Sequence, residues 1–276
     1  MDIIYKQAEN DEAILKIYYD TSAISPRDEM DNLGTMVCWH RRYDLLGDKH
    51  NYATPRDFLE DLASQVCDNN PELLNTVVEN KFRNNYQLKY DATDSEWVIY
   101  QNGNRIDSYE DQEDAEYALQ ELKDELSNGI FDELDNNELM DIIDTGAVIL
   151  PLYLYDHGGV TISTESFNDP WDSGWVGWIY VLDEDIKKEF HVDEITDEIR
   201  QKTVDILKGE VETYDMYLQG EVYGYVLEEK IKCPCCGHVQ TQEIDSCWGF
   251  YGYNPKTNGI ADYIPEEYQD LLDKLN

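Results

Sequence analysis

Residues 147–164, which read AVILPLYLYDHGGVTIST, carry the clearest secondary-structure pattern of the chain. The apolar run Ala147–Tyr155 is typical of a buried strand, and Val160–Thr164 contains the β-branched residues that strands favour. Between them, Gly158-Gly159 suits a tight turn because glycine adopts positive φ without strain. The stretch therefore predicts a β-hairpin, and the aromatic run Trp175–Leu182 predicts a further strand.

Residues that favour helix starts and tight turns predict the helices and strands of the N-terminal half. Thr54-Pro55 suits the cap and first position of a helix. Asn102-Gly103 lies between two strand-like segments and is a strong hairpin signal, because both residues accept positive φ. A further helix is predicted from a cap at Ser108 to about Leu126, with Tyr117 on its inward face.

The C-terminal half continues with an acidic helix from Asp183 and a longer helix from about Asp193 to Tyr217. A hairpin is predicted from Glu221–Glu229 and Thr241–Phe250, and a last helix from Pro265–Leu275. Short strands are predicted near the N-terminus, the first beginning at Asp2. Because strand pairs and helices mix without regular βαβ alternation, the pattern indicates an α+β fold with mainly antiparallel sheets and packed acidic helices.

The 276 residues allow one large domain or two modest ones. Composition separates an acidic N-terminal region, residues 1–145, from an aromatic-rich C-terminal region, residues 146–276, which contains a Cys-rich hairpin at residues 230–248. No long linker rich in Pro, Gly or Ser enforces this division. One continuous domain is therefore the alternative.

The charge of the chain is extreme, with 60 Asp and Glu against 21 Lys and Arg and a net charge of −39. Duplex DNA carries one charge per ~1.7 Å of its axis, so this charge equals that of roughly 66 Å of duplex. A compact chain of this length is only about 50 Å across. We therefore expect no direct binding to nucleic acid, and we expect a partner that itself binds nucleic acid.

Other compositional features limit the class of protein. Hydrophobic residues make up 41% of the chain and aromatic residues 12%, which is enough for a folded core and unlike acidic disordered chains. No apolar run reaches the ~20 residues of a membrane span, and the start of the chain lacks a signal-peptide pattern. We therefore expect a cytoplasmic protein with reduced cysteines and no membrane partner.

Four of the six cysteines lie between Cys233 and Cys247. Cys233 and Cys236 have the spacing of a zinc knuckle, in which a tight turn directs two thiolates at one metal. The predicted ligands of a structural zinc ion are Cys233, Cys236, His238 and Cys247, with Cys235 as an alternative. A reduced hairpin tip that merely packs, or a redox role for Cys235 and Cys236, remains open.

Acidic residues dominate the outer face of the helix predicted after Ser108. Carboxylates on that face are predicted to contact the partner: Glu110, Asp111, Glu113, Asp114, Glu116, Glu121, Asp124 and Glu125. Trp171 and Trp175 are predicted to contact it as well, since aromatic side chains anchor interfaces and accept Arg on their ring faces. The alternative is that the tryptophans belong to the core.

Three motifs together carry a family resemblance: Tyr155–Gly159 (YDHGG), Pro170–Val181 (PWDSGWVGWIYV) and Asp245–Gly252 (DSCWGFYG). They resemble a family of acidic proteins encoded by bacterial phages and conjugative elements. The resemblance implies the cytoplasm of an infected or host bacterium as the setting, and it brings no catalytic residues with it. In composition, the chain is similar to antirestriction and anti-CRISPR inhibitors that occupy a DNA-binding surface.

The resulting hypothesis is a non-enzymatic anti-defence protein. It would bind a host nuclease, restriction or CRISPR effector at its basic DNA- or RNA-binding surface, by DNA mimicry. One alternative is a small hydrolase or metal-dependent enzyme that uses His157 with neighbouring Asp156 and Asp172. Another is an acidic adaptor that binds through its aromatic surface. The sequence predicts neither the oligomeric state nor the identity of the target.

Overall fold

The computed structural model of the protein describes residues 3–43 and 46–275, and within them the chain has the predicted α+β fold. The strands are β1 Ile4–Glu9, β2 Ala13–Tyr19, β3 Thr35–Cys38, β4 Tyr86–Asp91, β5 Glu96–Gln101, β6 Asn104–Tyr109, β7 Ala147–Asp156, β8 Val160–Ser163, β9 Ser173–Leu182, β10 Val222–Lys232 and β11 Val239–Tyr251. The helices are α1 Pro26–Glu29, α2 Pro55–Asp68, α3 Pro71–Asn85, α4 Gln112–Asn128, α5 Ile130–Glu133, α6 Asn136–Ile143, α7 Asp183–Phe190, α8 Asp197–Leu218, α9 Ile260–Tyr263 and α10 Asp270–Asp273.

The chain forms two compact units, each assembled from segments that are distant in sequence. The first unit comprises residues 1–49, 150–181 and 185–276, and the second comprises residues 50–149 and 182–184. The first 49 residues join the C-terminal half because β2 pairs with β10 and β3 pairs with β9. The predicted N-terminal region, residues 1–145, is therefore divided between the two units.

The first unit contains the sheet β1-β2-β10-β11 and most of the sheet β3-β9-β7-β8. The antiparallel β2–β10 ladder places Tyr18 opposite Gly224. Alternate residues of β2, such as Leu15 and Ile17, are fully buried, as the period-two geometry of a strand requires. The predicted strand start at Asp2 lies outside the described residues.

The prediction of one helix over Pro265–Leu275 is wrong. The chain instead forms a 3-10 turn, Glu266–Tyr268, followed by the four-residue helix α10. The amides of Tyr268, Leu272 and Lys274 donate to carbonyls three residues earlier, so the segment keeps 3-10 bonding. This tighter path buries Leu271 and Leu272 together against the sheet β1-β2-β10-β11.

The second unit confirms the local signals read from the sequence. Thr54 caps α2 through a reciprocal capping box, in which its hydroxyl accepts from the Asp57 amide and its amide donates to the Asp57 carboxylate. In the sheet β4-β5-β6, Asn102 and Gly103 adopt φ of 52° and 79° and connect β5 to β6. Both residues therefore occupy the left-handed region that the Asn-Gly signal predicts.

Two details of the helix predicted from Ser108 are wrong. Ser108 belongs to β6, and α4 begins at Gln112 with Asp111 as its N-cap residue. Tyr117 is 69% exposed rather than inward-facing. The inward stripe of α4 follows the spacing of Ala115 and Leu126, and Tyr117 lies two residues, or about 200°, from Ala115 around the helix.

Candidate functional site

The outer face of α4 and the residues before it form the acidic face, defined by Glu110, Asp111, Glu113, Asp114, Glu116, Glu121, Asp124 and Glu125. All eight side chains are exposed, as predicted from the sequence. The six of them within α4 lie outside the buried stripe that contains Ala115 and Leu126, at about 80° to 180° from Ala115 around the helix. Asp111, Glu113 and Asp114 also lie at the positive end of the helix dipole, which stabilises carboxylates there.

The spacing of the acidic face can be compared with that of a nucleic acid. Within α4, from Glu113 to Glu125, the rise of ~1.5 Å per residue gives a length of about 18 Å. Six carboxylates over this length correspond to one charge per ~3 Å, between the ~3.4 Å of one DNA strand and the ~1.7 Å of duplex. The acidic face therefore has a linear charge density in the range of DNA.

Contacts along α4 leave most of this charge unneutralised. Lys123 is the basic residue of the helix, and its ammonium group contacts Glu79 of α3. The side-chain amides of Gln112 and Gln120 donate to Glu116 and Asp124 over 2.7 and 2.8 Å. These neutral donors orient two carboxylates without removing their charge.

The negative charge is concentrated in the second unit. That unit has 26 Asp and Glu against 6 Lys and Arg, a net charge of −20 in 103 residues. The first unit has 34 against 15, a net charge of −19 in 173 residues. The charge per residue is thus nearly twice as large in the unit that contains α4.

The two predicted interface tryptophans differ in their surroundings. Trp171 is 91% exposed and lies in a turn in which Asp169 accepts the amides of Trp171 and Asp172. These backbone donors lower the pKa of Asp169. Trp175 is 39% exposed and its ring stacks on Trp39 at 6.3 Å. Trp171 is therefore free to contact a partner, whereas Trp175 belongs partly to an aromatic cluster of the protein itself.

The Cys-rich hairpin tip brings three thiols together. The sulphur atoms of Cys233, Cys235 and Cys236 lie within 4.8 Å of one another, and those of Cys233 and Cys235 are 3.0 Å apart. Gly237 closes the turn with φ of 73°, and its amide donates to the Cys233 carbonyl over 2.9 Å. We call these three residues the thiol turn, and the group could hold a metal ion.

Hydrogen bonds within the thiol turn stabilise one thiolate. The Cys235 thiol and the amides of Cys236 and Cys235 donate to Cys233 and lower the pKa of Cys233 to about 6. The same contact raises the pKa of Cys235, so the shared proton resides on Cys235. Cys233 is therefore the more acidic thiol of the turn and the one that is nucleophilic as a thiolate near neutral pH.

Two of the four predicted zinc ligands do not join the thiol turn. Cys247 pairs with Tyr225 in the β10–β11 ladder, eight residues along β10 from Cys233. At ~3.3 Å per residue, the two cysteines are about 26 Å apart, so Cys247 cannot share a metal with Cys233. The His238 carbonyl accepts the Cys233 amide, but the His238 imidazole is outside the group of sulphur atoms.

His157, the residue proposed for an enzymatic alternative, lies in the β7–β8 turn. Its Nδ1 is 2.9 Å from Asp172, and its side chain is 68% exposed. Asp156 binds Arg42 and Tyr43 over 2.9 and 3.1 Å. His157 and Asp172 therefore form an exposed imidazole–carboxylate pair. Asp156 contacts Arg42 instead of His157.

A buried ionic network around Arg27 was missed by the sequence reasoning. The Arg27 side chain is 4% exposed and binds Asp48 through two nitrogens, at 2.9 and 2.6 Å, and Glu210 at 2.8 Å. Burial alone would lower the pKa of Arg27, but the two carboxylates outweigh it and raise the pKa. The residues of this network are far apart in sequence, so no local pattern connects them. The local signal nearby is Ser25-Pro26, which caps and begins α1.

The chain matches no protein-family model, no curated protein and no solved structure in three comparisons. The resemblance to phage and mobile-element proteins therefore stays a prediction. Among the described residues, no helix combines the length and the apolar character needed to cross a membrane.

Proposed function

We propose that the protein is a non-enzymatic inhibitor that binds a nucleic-acid-targeting defence protein of a bacterial host. The acidic face occupies the basic surface on which that protein normally binds DNA or RNA. The observation that carries this proposal is the set of eight exposed carboxylates on α4 and its N-terminal flank, of which the six within α4 have a charge density between those of single- and double-stranded DNA.

The electrostatics of the second unit support this mode of binding. A net charge of −20 in 103 residues produces a long-range field that accelerates association with a basic cleft. The same field repels nucleic acid, so the inhibitor competes with the polymer rather than binding it. Because the attraction acts between exposed charges, it weakens as the salt concentration rises.

Trp171 supplies a second proposed contact, independent of the acidic face. An indole that is 91% exposed beside Asp169 can receive an Arg side chain on its ring face while the carboxylate pairs with the guanidinium. This contact would serve equally in the adaptor alternative, in which the partner contacts the aromatic surface alone.

The setting proposed for this activity is the cytoplasm of a bacterium that carries a phage or a conjugative element. It follows from the family resemblance of the YDHGG, PWDSGWVGWIYV and DSCWGFYG motifs, and it explains why a cell would meet an inhibitor of its defence enzymes. The target would be a nuclease, a restriction enzyme or a CRISPR effector, since each has a basic nucleic-acid-binding channel.

We also propose that the thiol turn binds structural Zn²⁺. Thiolates are preferred zinc ligands, and Cys233 and Cys236 have knuckle spacing closed by Gly237. The metal would fix the conformation of the hairpin tip. It would have no part in catalysis.

Charge-neutralising variants of α4 test the inhibitor proposal. The variant Glu113→Gln/Asp114→Asn/Glu121→Gln/Asp124→Asn removes four charges from the acidic face. The matched control removes four exposed charges from α5, α6 and their flanks, through Asp132→Asn, Glu133→Gln, Asp141→Asn and Asp144→Asn. Both variants have the same net charge, so a difference between them reports position rather than total charge.

The assay is affinity capture from lysate of a host with active defence systems, with and without duplex DNA as competitor. We expect the native chain and the control to capture a nucleic-acid enzyme that DNA displaces, and the α4 variant to lose it. Equal binding by both variants would show that total charge, and not the acidic face, attracts the partner. Capture of partners without a nucleic-acid-binding surface would contradict the inhibitor proposal itself.

A further inference from the structure

The thiol turn lies at the end of a hairpin that extends past its sheet. The β2–β10 ladder ends at Ala13 and Glu229, and Lys230 still donates its amide to Glu12. Beyond it, the ladder Ile231↔Gln240 and Lys232↔Val239 is formed by β10 and β11 with each other. Residues 234–246 are all exposed. The thiols are therefore presented on a narrow projection that a second molecule can approach.

The projection offers fewer ligands than a structural zinc site needs. Such sites are tetrahedral with four protein ligands and Zn–S bonds of ~2.3 Å, which place sulphur atoms about 3.8 Å apart. Cys233 and Cys235 are 3.0 Å apart, closer than two ligands of one tetrahedron. Cys233 and Cys236 are the pair with knuckle spacing, and two positions of the tetrahedron remain for other donors.

The remaining cysteines of the chain cannot fill these positions. Cys247 lies about 26 Å along the hairpin from Cys233 by the ladder register. Cys38 and Cys67 are buried in their own units. His238 is the competing donor, because its residue adjoins the turn even though its imidazole lies outside the sulphur group.

Charge at the hairpin tip favours a second copy of this chain as the source of the missing ligands. Residues 230–242 contain Lys230 and Lys232 but no Asp or Glu, in a chain where acids are nearly three times as numerous as bases. Two tips can therefore meet without bringing carboxylates together. A zinc ion with four thiolates carries a net charge of −2, which Lys232 of each copy can balance from beside the turn.

We propose that two copies of the chain share one Zn²⁺, bound tip to tip by Cys233 and Cys236 of each copy. This inference rests on the proposed zinc ligation and adds that the site is complete only between molecules. Each ligand binds as a thiolate, and a thiol that is still protonated releases its proton to solvent as the Zn–S bond forms, so no oxidant or reductant is required. Cys235 is not a ligand in this arrangement.

The test is native mass spectrometry and analytical ultracentrifugation of the reduced full chain, with Zn²⁺ alone as the added ligand. A salt concentration of about 0.15 M limits the range of repulsion between the two acidic chains to roughly 8 Å. We expect zinc to convert the 32.2 kDa chain into a species of twice that mass with one metal ion per two chains. A chelator should return it to the monomer.

Substitutions in the tip separate the possible outcomes. Cys233→Ser and Cys236→Ser should each abolish the zinc-dependent doubling of mass, whereas Cys235→Ser and Cys247→Ser should retain it. These thiols are exposed or half-buried, and circular dichroism confirms that each variant is folded. Doubling of mass that survives the chelator would refute a shared metal.

One outcome refutes the shared site alone. If each monomer binds one zinc ion and His238→Ala releases it, a single chain supplies all four ligands, and the zinc proposal stands while the intermolecular site fails. If the chain binds no zinc at all, both proposals fail.

Discussion

Arg27→Met is expected to destabilise the first compact unit by about 3–5 kcal/mol, the range measured when one partner of a buried ion pair is removed. Arg27 is 4% exposed and its guanidinium joins α1 to two distant segments, through Asp48 and through Glu210 of α8. A fourth hydrogen bond, of 2.5 Å, connects it to the Gly34 carbonyl. Methionine preserves much of the side-chain length but removes all four bonds and the positive charge.

The structure places the effect in the lower half of that range. The carboxylates left behind are 22% and 12% exposed in Asp48 and Glu210, so solvent screens them in part. They also keep backbone donors, since the Met36 amide binds Asp48 and the Leu33 amide binds Glu210, both over 2.7 Å. Lysine in place of Arg27 keeps the charge but cannot form the bidentate contact, and should cost about 1–3 kcal/mol.

Urea unfolding followed by tryptophan fluorescence measures this loss. Five of the six tryptophans belong to the first unit: Trp39, Trp171, Trp175, Trp178 and Trp248. Urea is preferable to guanidinium because it leaves the ionic strength unchanged. The expected result is a lower midpoint with an unchanged slope, which identifies a change in stability rather than in exposed surface.

The matched control is Arg42→Met, the same substitution at a more exposed pair of the first unit. Arg42 is 59% exposed and lies 2.9 Å from Asp156, and such surface pairs contribute less than about 1 kcal/mol. If Arg27→Met and Arg42→Met shifted the midpoint equally, the buried network would not be the stabilising element described above.

Three further predictions follow from the described contacts. In the metal-free reduced protein, alkylation of Cys233 should have a pH midpoint near 6, matching its pKa of about 6. Cys38, whose pKa is raised to about 12 by burial, should react only after unfolding. Peptide mass spectrometry measures both reactions, and a midpoint for Cys233 near the usual ~8.5 would contradict the prediction. Gly224→Ala should cost about 1–3 kcal/mol, because its Cβ would lie 2.2 Å from the Trp248 ring; an unchanged urea midpoint would refute this. His157→Ala should leave the capture of the partner unchanged, since the imidazole is an exposed surface group; loss of the biological effect in this variant would favour the enzymatic alternative.

Local signals predicted the elements whose conformation depends on neighbouring residues. The capping box at Thr54 and the positive φ of Asn102 and Gly103 are determined within four residues of sequence. The exposure of the acidic face was predicted for a similar reason, because helical spacing alone places its α4 carboxylates outside the buried stripe of Ala115 and Leu126. The prediction for Tyr117 was wrong because the buried stripe of α4 is narrower than expected from the sequence and does not include Tyr117.

The register between strands that are distant in sequence was not predictable from one sequence. This register determines which cysteines lie close enough to bind one metal ion. The distance between Cys233 and Cys247 depends on which residue of β10 pairs with Cys247, and a hairpin with a longer tip loop would have brought them together. The pairing of β2 with β10 spans more than 200 residues and has no local signal. The Arg27 network was missed for the same reason, since Asp48 and Glu210 approach Arg27 only in the folded chain.

The stability cost of the acidic face favours binding over solubility as its role. Glu121 and Glu125 are like charges four residues apart on α4, and Glu113 and Glu116 are three apart. Each such pair destabilises a helix by about 0.2–0.5 kcal/mol. A net charge of magnitude ~2–8 suffices to keep a small domain soluble, whereas the second unit carries −20. Destabilising features that exceed what solubility needs are typical of functional surfaces. The adaptor alternative, in which the charge only solvates the protein, leaves this excess without a reason.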